Sequence, residues 1–110
     1  MIIVNEGEAA HIASIMPIME NAFDPAFGEA WTSAQCLSAL AMPDCRLLIA
    51  RDEHMVCGFS ISRWVLDTEE LLMIGVAKER QRQKVGTILL QQTIKMASAE
   101  NRTYLFLECR

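Results

Sequence analysis

The stretch DTEELLMIGVAKERQRQKVGTILLQQTIKMASAENRTYLFLEC, residues 67 to 109, leaves this chain few folds to choose from. Its first part ends in a near-continuous apolar run, the pattern of a central strand covered on both faces. A basic, polar segment follows, KERQRQK at 78 to 84. Residues 85 to 99 then carry Val85, Ile88, Leu89 and Met96, with Leu90 and Ile94 beside them, as the wide apolar face of a helix. TYLFLEC, residues 103 to 109, reads as another strand. Two strands flanking a helix run parallel, through a right-handed crossover.

The residues before this unit add antiparallel strands and two more helices. MIIVN is a short first strand. From Glu8 the positions Ile12, Ile15, Met16, Met19, Ala22 and Phe23 follow helical spacing, and Pro17 inside them predicts a kink or a split. DPAFGEAW is a loop, after which Thr32 and Gln35 form a capping box for a second helix that must stop before Pro43. RLLIAR (46–51), a tight turn at DEHM, and VCGFSISRWV (56–65) are strands. In the latter, Val56, Gly58, Ser60 and Ser62 alternate with Cys57, Phe59, Ile61 and Arg63. The order β-α-α-β-β-β-α-β predicts a mixed, mostly antiparallel α/β (α+β) sheet with helices on both faces, in one domain spanning residues 1–110.

Composition limits the function classes. The 110 residues are 52% apolar and 22% charged, which is globular. The net charge is −4 although residues 78 to 84 alone carry +3, so a local anion site fits better than a nucleic-acid surface. Cys36, Cys45, Cys57 and Cys109 form no C-x-x-C pair, and neither histidine lies near them at zinc-site spacing, so no metal is expected. Reduced thiols, the absence of a signal-peptide pattern and the lack of a membrane-length apolar run point to a soluble, cytoplasmic protein without a membrane partner.

The basic segment sits where a strand gives way to a helix. Helix N-termini present free N–H groups and partial positive charge, so Arg80, Arg82 and Lys84 there suit a pyrophosphate. A solvated basic turn is the alternative. A P-loop, a dinucleotide-binding glycine fingerprint and a Gly-x-Ser-x-Gly elbow are all absent. Glu69 and Glu70 are adjacent on a strand and point to opposite faces, which argues against a catalytic acid pair, and one of them is expected in solvent.

This segment resembles the GCN5-related N-acetyltransferase (GNAT) superfamily, and within it the RimI-type ribosomal-protein alanine N-acetyltransferases. The family corner [QR]-x-x-G-x-[GA] is similar to QRQKVG, with Gln81 first, Gly86 last and Lys84 where the family has glycine. AFGEAWTSAQCLSAL, the CGF of the third strand and LFLECR are further likenesses, in the family's order.

The resemblance implies an acyl-CoA N-acyltransferase-like fold and transfer of an acetyl group from acetyl-CoA to a primary amine, such as a protein N-terminus. It implies that backbone groups around Ile74, Gly75 and Val76 hold the pantetheine arm. Gln81, Arg82, Gln83, Lys84, Val85, Gly86 and Thr87 would hold the pyrophosphate of coenzyme A, and Glu108 would be the general base. The family's general-acid tyrosine would lie beyond Arg110, with the family's last two strands, and Tyr104 lies on the wrong side of Glu108 to replace it. A fold cut at that point predicts an open edge on the fifth strand and hence a homo-oligomer through it. A catalytically weak or inactive domain that binds coenzyme A, or only another protein, is the alternative.

Overall fold

The computed structural model describes residues 1–22 and 30–107, and for residues 81–83, 106 and 107 the backbone alone. Five strands form one sheet in chain order: β1 (Ile2–Glu6), β2 (Cys45–Asp52), β3 (Met55–Val65), β4 (Thr68–Val76) and β5 (Tyr104–Leu107). The first four pair antiparallel, and β5 runs parallel to β4. The expected mixed sheet is therefore present, with α3 (Val85–Ala99) as the crossover between β4 and β5.

Two cores lie on opposite faces of the sheet. On one, α1 (Ile12–Ala22) and α2 (Ser33–Leu40) bury Ile12, Ile15, Met19 and Cys36 against Leu47, Ile49, Phe59, Ile61 and Met73. On the other, Val85 and Leu89 of α3 pack on Leu48, Ala50 and Cys57. Alternation along β2 explains why Leu47 and Ile49 go one way and Leu48 and Ala50 the other.

Several details depart from the sequence pattern. Pro17 does not split α1, which is continuous from Ile12 to Ala22. Pro17 and Ala13 are both exposed, so the carbonyl that loses its partner at Pro17 faces water. Cys57 was expected with Phe59 and Ile61. A β-bulge pairs Ala50 with Gly58 but Arg51 with Val56, and the extra residue, Cys57, turns into the α3 core. In α3 the buried line is Val85, Leu89, Thr93 and Ala97, while Ile94 is about half exposed. The Thr93 hydroxyl donates to the Leu89 carbonyl at 2.9 Å, which removes the cost of burying it. The capping box of α2 forms as read: Gln35 N–H donates to Thr32 Oγ1 (3.1 Å) and Thr32 N–H to Gln35 Oε1 (2.8 Å).

Candidate coenzyme-binding cleft

The site lies along the C-terminal part of β4. Among the described residues β5 pairs with β4 from Thr68 to Leu71, and β4 continues to Val76. After Leu71 β4 carries a bulge, since Ile61 pairs with Met73 but Ser62 with Leu71, leaving Leu72 as the extra residue. Beyond it β4 is held by β3 on one side and has no strand partner on the other among the described residues.

The direction of the backbone groups on that open edge follows from one bond. Ala77 N–H donates to Cys57 O at 2.8 Å, so Ala77, Gly75 and Met73 turn their N–H and C=O toward β3. The groups of Ile74 and Val76 face the open side. Of the three residues assigned to the pantetheine arm, Ile74 and Val76 thus turn their backbone groups away from β3. Gly75 has a different role. A Cβ there would stand 2.6 Å from Phe59 Cε1 and 3.4 Å from Ile18 Cγ2, so the glycine lets α1 and the Phe59 ring close over the strand.

The strand leads into a 3₁₀ turn (Lys78–Gln83), then Lys84, then α3. Lys84 is left-handed (φ 60°, ψ 26°), a conformation that favours glycine. Ile88 N–H donates to Lys84 O at 3.0 Å, and the Lys84 side chain does not cap the helix. The N–H groups of Val85, Gly86 and Thr87 come before that bond, where a helix start presents its N–H groups to an anion.

These parts enclose an open cleft of about 400 Å³. Ile74, Gly75, Val76, Lys84, Gly86 and Thr87 line it, so six of the ten residues assigned to coenzyme binding share one surface. The Val85 side chain is not part of that surface. It is fully buried in the α3 core, and only its amide can serve. The side chains of Gln81, Arg82 and Gln83 lie outside the described residues, as does Glu108. Asn21 and Ala22 complete the lining. Nothing in the sequence marked them, because only folding brings the C-terminal end of α1 beside β4. Gly86 tests the fit directly: a Cβ there would meet only Val76 Cγ2, at 3.7 Å. Packing therefore does not demand a glycine, and its missing side chain leaves room in the cleft.

Arg80, read as a phosphate counter-charge, is elsewhere. Its guanidinium donates to Asp52 Oδ2 and lines a separate hollow with Asp52, Glu53, His54 and Met55. Nor does Glu69 or Glu70 end in open solvent. Glu69 is fully buried, accepting from Ser62 Oγ (2.6 Å), Arg46 Nη1 (3.2 Å) and Arg102 Nη1 (3.4 Å), and Glu70 pairs with Arg63 at 3.2 Å.

Burial pushes the thiols of Cys36, Cys45 and Cys57 up, so none is a ready nucleophile. Among the described residues no cluster of His, Cys, Asp and Glu could hold a metal ion, and no helix is long and apolar enough to cross a membrane.

The model of the acetyltransferase (GNAT) family matches residues 12–110. The chain belongs to that family. Solved structures with the same fold include the ribosomal-protein-S18-alanine N-acetyltransferase of Escherichia coli. It has a TM-score of 0.90 at 23% identity, over 100% of this chain and 68% of that one. A ribosomal-protein-alanine N-acetyltransferase of Brucella melitensis matches with a TM-score of 0.80 at 12% identity, over 100% and 81%. The PaiA N-acetyltransferase of Thermoplasma acidophilum, solved in complex with coenzyme A, matches with a TM-score of 0.78 at 13% identity, over 93% and 75%. No curated protein sequence matches significantly. The acyl-CoA N-acyltransferase-like architecture expected from the sequence is thus the observed one.

Proposed function

We propose that this family member moves an acetyl group from acetyl-CoA to a primary amine, with a protein N-terminal α-amine as the acceptor. The observation that carries the proposal is the edge of β4 at Ile74 and Val76, without a second strand partner among the described residues, set in one cleft with the start of α3. An extended, amide-bearing arm adds to such an edge as a further strand would. An anionic group belongs at the helix start, which Lys84, Gly86 and Thr87 line. In this reading Gln81, Arg82, Gln83, Lys84, Val85, Gly86 and Thr87 surround the pyrophosphate, partly through backbone groups.

Acetyl-CoA supplies an activated thioester. The chain has to orient the acceptor and take a proton from it. An α-amine has a pKa of about 7.7–8.0, so at neutral pH most of it is protonated and cannot attack a carbonyl. Glu108 is the proposed base, directly or through one water. The C–N bond forms as the C–S bond breaks, and the thiolate leaves to be protonated. A second copy of the chain along the outer edge of β5, which has only β4 as a strand neighbour among the described residues, belongs to the same proposal. Monomers by light scattering would remove that part. The free thiols suit a reducing cytoplasm.

The test is thiol release from acetyl-CoA with a panel of amines that includes alanine-terminated peptides, run beside Glu108→Gln. The expected result is turnover by the wild type and a roughly 10²–10⁴-fold lower kcat in the variant, with coenzyme A affinity retained. An unchanged kcat would dismiss Glu108 as the base. Coenzyme A binding without thiol release on any amine would favour a binding domain over an enzyme.

A further inference from the structure

The turn that delivers α3 to the cleft is built from charged and polar residues. Lys78–Gln83 is a 3₁₀ helix, a form with poorer hydrogen bonds than an α-helix, and its sequence KERQRQ has no apolar anchor. Lys78 and Glu79 are exposed. The backbone contributes the bond from Arg80 N–H to Ala77 O at 2.8 Å. Among the described residues a side-chain tie runs from Arg80 to Asp52, across 28 residues of sequence, with both side chains about three-quarters buried.

Asp52 stands on firm ground. It is the last residue of β2, paired with Ile2 of β1 on one side and Met55 of β3 on the other. Its Oδ1 accepts from the Met1 ammonium at 3.1 Å while Oδ2 accepts from Arg80. Its place between two strands fixes the backbone that carries the carboxylate. The described lining of the coenzyme cleft includes neither Asp52 nor Arg80.

We propose that Asp52 is a positioning residue for coenzyme binding: through Arg80 it clamps the 3₁₀ turn to the β2 end of the sheet. This fixes where Lys84 ends the turn and where the amides of Val85, Gly86 and Thr87 point. The inference rests on the coenzyme reading given above. It also explains why a basic residue in a phosphate-side turn is directed away from the phosphates. The Arg80 guanidinium meets Asp52, while Lys84 lines the cleft.

The clamp is tested with Asp52→Asn, Arg80→Met and the double variant. Coenzyme A affinity is measured by calorimetry, pantetheine affinity alongside it, and amide hydrogen exchange over residues 78–87 in the free protein. Each single variant should weaken coenzyme A roughly fivefold to tenfold, and the double variant should be no weaker than either, since both break one interaction. Pantetheine, which lacks the pyrophosphate, should bind as to the wild type. Exchange over 78–87 should speed up while the sheet amides keep their protection. Unchanged or tighter coenzyme A binding in Asp52→Asn overturns the clamp, as does equal weakening toward both ligands with unaltered exchange. If the wild type binds no coenzyme A, the coenzyme reading fails, and the ligand-free exchange measurement still decides whether Asp52 holds the turn.

Discussion

Replacing Arg46 by methionine removes the centre of a buried ionic cluster at the other end of the sheet from the helix start. The Arg46 side chain is only 1% exposed. It donates to Glu69 at 3.2 Å and to Glu100, lies 3.6 Å from Glu6, and stacks on the Trp64 ring with 4.8 Å between guanidinium carbon and ring centre. Arg102 lies on the same ring at 4.0 Å and reaches Glu69 and Glu100 as well. Without Arg46, the fully buried Glu69 carboxylate keeps only Ser62 and the more distant Arg102. Breaking a buried pair in this way costs about 3–5 kcal/mol, because a charge is left without its partner. For a domain of this size that lowers Tm by roughly 15–25 °C. Glu69→Gln should cost less, about 1–3 kcal/mol, because Arg46 still has Glu100 and Glu6. The double variant should be less destabilised than the sum of the two. Urea and thermal unfolding followed by circular dichroism measure all three. An Arg46→Met protein that melts within about 3 °C of the wild type, or strictly additive losses, would refute the idea that these groups are coupled.

Two further predictions concern the cleft and the pH response. Gly86→Ala should leave Tm nearly unchanged, since the new Cβ meets only Val76 Cγ2 at 3.7 Å, yet weaken coenzyme A by about tenfold by filling the cleft; calorimetry and a melting curve separate the two effects. The Arg102 hydrogen bond, opposed by burial and aided by Arg46, holds the Glu100 carboxyl below its ordinary range. A carboxylate lowered in the folded state adds stability above its unfolded pKa and loses it as pH falls through the folded one. Stability should therefore drop on acidification below about pH 4.3, with a shallower slope in Glu100→Gln, and equal slopes in a urea series would contradict this.

The architecture was legible because it depends on local patterns. The apolar run ending in MIGVA, the helical face from Val85 and the capping box at Thr32 each need only neighbouring residues to be recognised. The basic corner was visible for the same reason, and Lys84, Gly86 and Thr87 of it share a cleft with Ile74, Gly75 and Val76 of β4. Cys57 changed faces because of a bulge that depends on how β2 and β3 register, which local alternation does not show. Pro17 sits exposed within α1 and does not split it.

Arg80 and Glu69 show the division most clearly. By sequence alone the chain determined that a cation would stand in the turn and a carboxylate at the start of β4. Their partners, Asp52 for the first and Arg46 with Arg102 for the second, are 23 to 33 residues away along the chain. An ion pair depends on a few ångströms in space and on the water excluded around it, and neither is set by local sequence. Tertiary structure alone decided which charges face the cleft and which hold it in place.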